Sequence, residues 1–201
     1  MKIKNIIFDV GNVFIMWDPY PLFLKFFKTK AEVDKFFKEI NFWHYIAEMD
    51  KGFPIKNFVK EASLKYPRYK NEIRAYDENW LETIPAEISG TKTMAKKLQN
   101  QGYKTYILSN FEAEKYNISE RIYNFTEGFD GGVVSAEVKE RKPDRAIYEI
   151  LLSKYNLKPE ECVFLDDKPE NIETAVSLGI KGIVFKSCRQ AEEELKKLGV
   201  L

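Results

Sequence analysis

Hydrophobic positions fall along this chain in two rhythms. Short unbroken apolar runs mark the two ends: Ile6-Ile7-Phe8, Thr105-Tyr106-Ile107-Leu108, Gly132-Val133-Val134, Cys162-Val163-Phe164-Leu165 and Gly182-Ile183-Val184-Phe185. Each is too short for a helix and rich in β-branched or aromatic residues, the pattern of strands buried on both faces. Between them the apolar positions recur at helical spacing. Met94, Ala95 and Leu98 define one helix over 91–100, with Gly102 as its stop. Ile147, Ile150, Leu151 and Tyr155 define another over 144–155, and a third spans 170–178 before Gly179. Alternating strands and helices predict an α/β fold, a doubly wound parallel sheet of Rossmann-like type.

Residues 16–84 break this alternation. They carry Phe23, Phe26, Phe27, Phe36, Phe37, Phe42, Trp43, Phe53, Phe58 and Trp80 without a clear strand. Helical periodicity occurs over 31–40, 55–66 and 69–81. The segment reads as a helical insertion, leaving 1–15 and 85–201 as the α/β core.

Composition narrows the classes. With 32 basic against 31 acidic side chains, the net charge is +1, which offers no electrostatic footprint for nucleic acid. No apolar run reaches the length of a membrane span, and the N-terminal run is too short for a signal peptide. Two cysteines, Cys162 and Cys188, cannot build a disulfide framework or a closed zinc site. A reducing, cytoplasmic setting is expected.

Ligands in such sheets sit beyond the carboxyl ends of the strands. The predicted strands end in Asp9, in Ser109-Asn110 and in Asp166-Asp167, and Arg141-Lys142-Pro143-Asp144 opens a helix. Three carboxylates brought together repel unless a cation sits among them, and hard oxygen donors suit Mg²⁺. Lys142 is suited to keep a carboxylate ionised and to pair with an anionic group. Ser109 and Asn110 offer neutral donors, and Gly11 and Asn12 offer backbone amides to an anion. An aspartate carboxylate can attack phosphorus and form an acyl phosphate.

In order, Phe8-Asp9-Val10-Gly11-Asn12-Val13, Leu108-Ser109-Asn110, Arg141-Lys142-Pro143-Asp144 and Phe164-Leu165-Asp166-Asp167 with Asn171 resemble the four motifs of the haloacid dehalogenase (HAD) superfamily. Phe129 to Ser135 is similar to the family's short strand before the lysine. The resemblance covers 1–15 and 85–201, and the insertion stands where that family has a helical cap. It implies Asp9 as nucleophile and metal ligand, with the Gly11 carbonyl, Asp167 and Asp166 around the metal. Ser109 and Lys142 are implied to grip the transferred group. Phosphatases of the family usually carry a second Asp two residues after the nucleophile; here that residue is Gly11. The Asp-x-Gly-Asn-Val pattern is closest to a subgroup that includes bacterial sugar-phosphate phosphatases.

The expected activity is therefore Mg²⁺-dependent hydrolysis of a small phosphorylated metabolite. A 2-haloacid dehalogenase and a non-catalytic binding protein of the same fold are the alternatives. Asp18 and Glu112 are the candidates for the missing proton donor, although Asp18 also suits the cap of a helix beginning at Pro19. His44 and most of the inserted aromatics read as packing, Cys162 as a small buried hydrophobe, and 192–197 as a solvated helix face.

Overall fold

Four consecutive residues of strand β1 (Asn5–Phe8) are all buried, as a strand covered on both faces must be. The computed structural model describes residues 2–201. After β1 come five helices, α1 (Tyr20–Phe23), α2 (Lys30–Ile40), α3 (Phe42–Asp50), α4 (Ile55–Lys65) and α5 (Lys70–Glu78). The chain then runs through α6 (Thr91–Asn100), β2 (Lys104–Ser109), α7 (Ala113–Tyr123), β3 (Gly131–Val134) and α8 (Ser135–Val138). It finishes with α9 (Arg145–Lys154), β4 (Cys162–Asp166), α10 (Pro169–Ser177), β5 (Lys181–Val184) and α11 (Cys188–Lys197).

The five strands form one parallel sheet in the order β3-β2-β1-β4-β5. Phe8 pairs with Ile107 on one side and Leu165 on the other. The chain builds outward from β1 to β3, then crosses back to β4, so the sheet's winding reverses beside β1. That reversal opens a crevice beyond the carboxyl ends of β1, β2 and β4.

Side chains alternate across the sheet, as a two-residue period requires. Ile6, Phe8, Ile107, Val163 and Leu165 join a cluster with Met94 and Leu98 of α6 and Leu195 of α11. Ile7, Tyr106, Leu108 and Phe164 face the opposite way, onto Ile147, Tyr148 and Leu151 of α9. Gly102 and Gly179, expected as stop signals, take φ of 88° and 89° just past α6 and α10, the left-handed region glycine enters without penalty.

The insertion is helical, as its periodicity predicts. Helix α2 begins at a complete capping box, Thr29 with Glu32. Its helices close around Phe23, whose ring lies 5.1 Å from both Phe36 and Phe37. Phe37 stacks on Phe42 at 4.3 Å. The stretch read as one helix over 69–81 is α5 followed by a 3₁₀ turn at Trp80–Thr83. Helix α3 has no clear stripe in sequence, because Asn41 in the left-handed conformation ends α2 and starts α3 without a spacer. The aromatic core of the insertion is continuous with the cluster on the sheet. The chain leaves and returns along paired backbone: Met16 N–H donates to the Ala86 carbonyl and Ile88 N–H to the Phe14 carbonyl, at 2.9 and 2.7 Å. At the far end, Gly52 passes so close to α8 that a Cβ there would lie 2.8 Å from the Ala136 carbonyl oxygen.

Candidate active site

Asp9 sits one residue beyond β1, held by the sheet itself: its N–H donates to the Leu165 carbonyl at 2.9 Å. Three donors meet its Oδ1. They are the Val10 N–H at 2.7 Å, the Ser109 hydroxyl at 2.8 Å and the Lys142 ammonium at 2.8 Å. No hydrogen bond or ion pair engages Oδ2 among the described residues. The carboxylate is thus fixed by one oxygen with the other unheld.

Lys142 is buried, and an isolated buried ammonium would be costly. It is fully provided for. Besides Asp9, it contacts Asp166 Oδ2 at 2.6 Å and donates to the Leu108 carbonyl at 2.8 Å. Burial pushes its pKa down, but the charges of Asp9 and Asp166 outweigh burial and raise it, so it stays protonated. Asn110 fixes its backbone from both sides.

Asp166 ends β4 wholly buried. Its Oδ1 accepts from Lys168 N–H and from Asn171 Nδ2, each at 2.8 Å, and Oδ2 accepts from Asn171 at 2.9 Å as well as from Lys142. Asn171 is in turn held through its carbonyl by the Tyr148 hydroxyl at 2.8 Å. Asn171 therefore serves the acidic cluster as an anchor. Asp167 is only partly buried, and Asn12 Nδ2 reaches its Oδ2 at 3.0 Å. Asn12 can do this because it adopts φ of 56°, a conformation asparagine tolerates, and its Oδ1 accepts from Trp17 N–H.

Asp9, Asp166 and Asp167 bring oxygen atoms within 4.8 Å of one another. Burial, reinforced by the charges of Asp166 and Asp167 and opposed by Lys142, raises the Asp9 pKa to about 7. Burial raises Asp167 as well. One ammonium does not balance three carboxylates, and an all-oxygen set of this kind is the donor chemistry a hard divalent cation takes.

A cavity of about 540 Å³ opens from this cluster toward the insertion. Of the residues singled out from sequence, Asp9, Gly11, Asn12, Asn110, Lys142, Asp167 and Asn171 line it; Ser109 and Asp166 stand behind, touching Asp9 and Lys142. At Gly11 a Cβ would meet nothing within 4 Å. The absent second aspartate is therefore no consequence of crowding, since a side chain there would project into free space. Asp18 and Glu112 both line the cavity, and each also holds a local backbone: Asp18 accepts from Tyr20 N–H at 2.9 Å, Glu112 from Lys115 N–H at 2.8 Å. His44 is exposed and not packed as expected, because α3 turns Phe42 inward instead.

The sequence reading missed Asp50. It ends α3, lines the cavity, and pairs with Arg141 at 3.3 Å. Burial, opposed by Arg141, raises its pKa to about 6. Next to it, Lys51 approaches Asp144 at 3.7 Å, so the insertion is tied to the loop that carries Lys142. No local pattern marks Asp50, since its position depends on a helix that periodicity does not reveal.

The model for the haloacid dehalogenase-like hydrolases matches residues 6–185. A sesquiterpene phosphatase of Aspergillus oryzae is 29% identical over 106 residues, 53% of this chain and 54% of that one; the chain thus spans about half the length of that relative. A phosphorylated carbohydrates phosphatase of Thermotoga maritima is 23% identical over 182 residues, covering 90% of this chain and 83% of its own. A HAD family enzyme of Bacteroides thetaiotaomicron, solved with magnesium and inorganic phosphate, shares the fold with a TM-score of 0.71 at 22% identity, over 92% of this chain and 95% of that one. With its motif residues gathered at one end of a parallel sheet and the family model spanning nearly its whole length, the chain belongs to the haloacid dehalogenase-like hydrolases.

Proposed function

We propose that the protein is a Mg²⁺-dependent phosphomonoester hydrolase that acts on a small phosphorylated metabolite through an aspartyl-phosphate at Asp9. The observation that carries this reading is the asymmetric hold on Asp9, with three donors on Oδ1 and none on Oδ2. An oxygen left unheld on a fixed carboxylate is positioned to attack. In the first step Oδ2 bonds to phosphorus as the ester P–O bond breaks, and the leaving oxygen takes up a proton. In the second, water attacks the phosphoryl group and releases phosphate and Asp9.

Asp9, Asp167 and the Gly11 backbone carbonyl, with Asp166 completing the acidic cluster, are the residues that would hold Mg²⁺. The cation supplies charge compensation for the carboxylates and for the transferred phosphoryl group. Lys142 opposes the rise that burial imposes on the Asp9 pKa, favouring its ionised form, and stabilises the charge that develops on the phosphoryl oxygens. Ser109, now donating to Asp9, can turn its hydroxyl to a phosphoryl oxygen, and Gly11 lines the same cavity; the Asn12 amide, expected to meet an anion, is instead committed to the Ile15 carbonyl at 2.7 Å. The inserted helices, residues 16–84, serve as a cap that excludes water and selects the substrate. Both cysteines are free thiols, which suits a reducing cytoplasm. No helix among the described residues is long and apolar enough to cross a membrane.

The test is a panel of phosphomonoesters assayed with and without Mg²⁺, in wild type and Asp9→Asn. Asp9→Asn preserves shape and removes the attacking charge, so turnover should vanish while the protein stays folded. Substantial turnover by a pure Asp9→Asn preparation defeats the mechanism. Activity undiminished by EDTA, accompanied by chloride release from 2-chloropropionate, identifies a dehalogenase instead.

A further inference from the structure

The cavity that begins at Asp9 is far larger than a phosphate requires, and most of its remaining wall is aromatic or aliphatic. At about 540 Å³ it belongs with pockets that take a drug-sized ligand. Away from the acidic cluster it is walled by Trp17, Trp43, Met49, Tyr76, Trp80 and Phe111. These rings support one another edge to face: Trp17 against Trp43 at 6.0 Å, Tyr76 against Trp80 at 5.4 Å, Trp80 against Phe111 at 6.0 Å. All three tryptophans of the chain lie on this one cavity. Trp43 is 49% exposed, a large apolar surface left in water at the cavity wall.

Most carboxylates and the buried lysine of the same wall are already engaged with protein, while Trp17 Nε1 and Arg141 Nε have no partner among the described residues. Asp18 and Glu112 each accept a backbone N–H. Lys115 is buried and held by both the carbonyl and the carboxylate of Asp77. Asp50 faces Arg141. A polyol entering here would exchange water for rings at most of its hydroxyls, and unmet hydroxyls are costly to bury. A flat apolar group gains from area burial and from ring contacts beyond area.

We infer that the leaving group is an aromatic or similarly flat apolar alcohol, bound between the tryptophans of the insertion and Phe111, in preference to a sugar. This rests on the phosphatase reading above and specifies its substrate class.

The experiment compares acetyl phosphate, glucose 6-phosphate and 2-naphthylmethyl phosphate with the full chain and Mg²⁺. The last two are both primary alkyl esters, so leaving-group acidity does not separate them. We expect kcat/KM for the naphthylmethyl ester to exceed that for glucose 6-phosphate by about tenfold or more. Trp43→Ala should lower kcat/KM for the naphthylmethyl ester by about tenfold more than for acetyl phosphate. In the Asp9→Asn protein, benzyl phosphate should change the intrinsic tryptophan fluorescence saturably, and glucose 6-phosphate should not, which reads binding without turnover. If acetyl phosphate is cleaved but glucose 6-phosphate matches or beats the naphthylmethyl ester, the substrate class is wrong and the phosphatase reading stands. Equal losses on both substrates in Trp43→Ala also overturn it. If neither the esters nor acetyl phosphate is cleaved, the phosphatase reading fails and this inference falls with it.

Discussion

Asn110 and Lys142 grip each other by two reciprocal hydrogen bonds of 2.8 Å, the Asn110 amide donating to the Lys142 carbonyl and the Lys142 N–H donating to Asn110 Oδ1. The motif after β2 thereby fixes the backbone of the residue whose ammonium touches both Asp9 and Asp166. Asn110 lines the cavity as expected for a substrate contact, yet its amide is committed to positioning. Asn110→Ala strands a donor and an acceptor at a partly buried site, a cost of about 1–3 kcal/mol in stability. It should also lower kcat more than it raises KM, because the lysine is displaced while the cavity remains. Denaturant melts and steady-state kinetics on one preparation check both effects; a pure KM effect returns Asn110 to substrate binding alone.

Removal of the cation gives the second prediction. EDTA should abolish hydrolysis and Mg²⁺ should restore it, since Asp9, Asp166 and Asp167 crowd their oxygens within 4.8 Å. Asp167→Ala should raise the Mg²⁺ concentration for half-maximal rate or end activity. Asp167 is the partly exposed member of the trio, so its removal strands only the half-buried Asn12 amide and the fold should persist by circular dichroism. An unchanged Mg²⁺ dependence in Asp167→Ala would remove it from the ligand set.

A third prediction concerns the proton for the leaving group. Glu112 lines the cavity, and burial raises its carboxyl pKa, which suits a group that must deliver a proton. Glu112→Gln keeps an oxygen acceptor for the Lys115 N–H at the start of α7. The fold should therefore survive, with loss of about 10²–10⁴ in kcat on alkyl phosphates and little loss on aryl phosphates. Asp18→Asn should leave the alkyl-to-aryl ratio unchanged. The reverse outcome assigns the role to Asp18, and unchanged ratios in both variants exclude both.

Asp50 yields a prediction about stability and pH. Its carboxyl pKa is raised from 3.8 to about 6, chiefly by burial. With the folded pKa above the unfolded one, the unfolded chain ionises first as pH rises. The folded state accordingly loses stability between about pH 4 and pH 6 from this group, by at most about 3 kcal/mol. Asp50→Asn cannot ionise, so its stability should vary less over that window. Urea melts of both proteins in EDTA test this; Asp9 titrates in the same direction in each and cancels in the difference. Parallel curves would refute it.

The approach of Gly52 to Ala136 supplies a last prediction. Gly52 has φ of 92°, and an added Cβ would press on the Ala136 carbonyl at 2.8 Å. Gly52→Ala should cost about 1–3 kcal/mol or lift the insertion from α8. In the second case KM should rise and hydrogen exchange should quicken at 50–53 and 135–138. No change in stability, kinetics or exchange would mean that the two segments are not in contact in solution.

The sequence by itself determined the sheet, the helices that cover it and the identity of the acidic cluster. These are local facts. An unbroken run such as Ile6-Ile7-Phe8 can satisfy its side chains only between two layers, and the residue that ends it, Asp9, must emerge at the sheet's edge. The helices of the insertion were legible where an apolar stripe existed, as at Val33, Phe36, Phe37 and Ile40, and illegible at α3, where Phe42 and Met49 alone are buried. Only the tertiary structure decided which polar atoms meet. Lys142 and Asp166 are 24 residues apart, and Asp50 and Arg141 are 91 apart. Nothing in either segment states the pairing, because it follows from strand order and from the docking of α3 on α8. The same holds for the aromatic cavity. Trp43 and Trp80 belong to an insertion whose aromatics read mostly as packing, and with Trp17 they become one wall only when the insertion folds over the crevice.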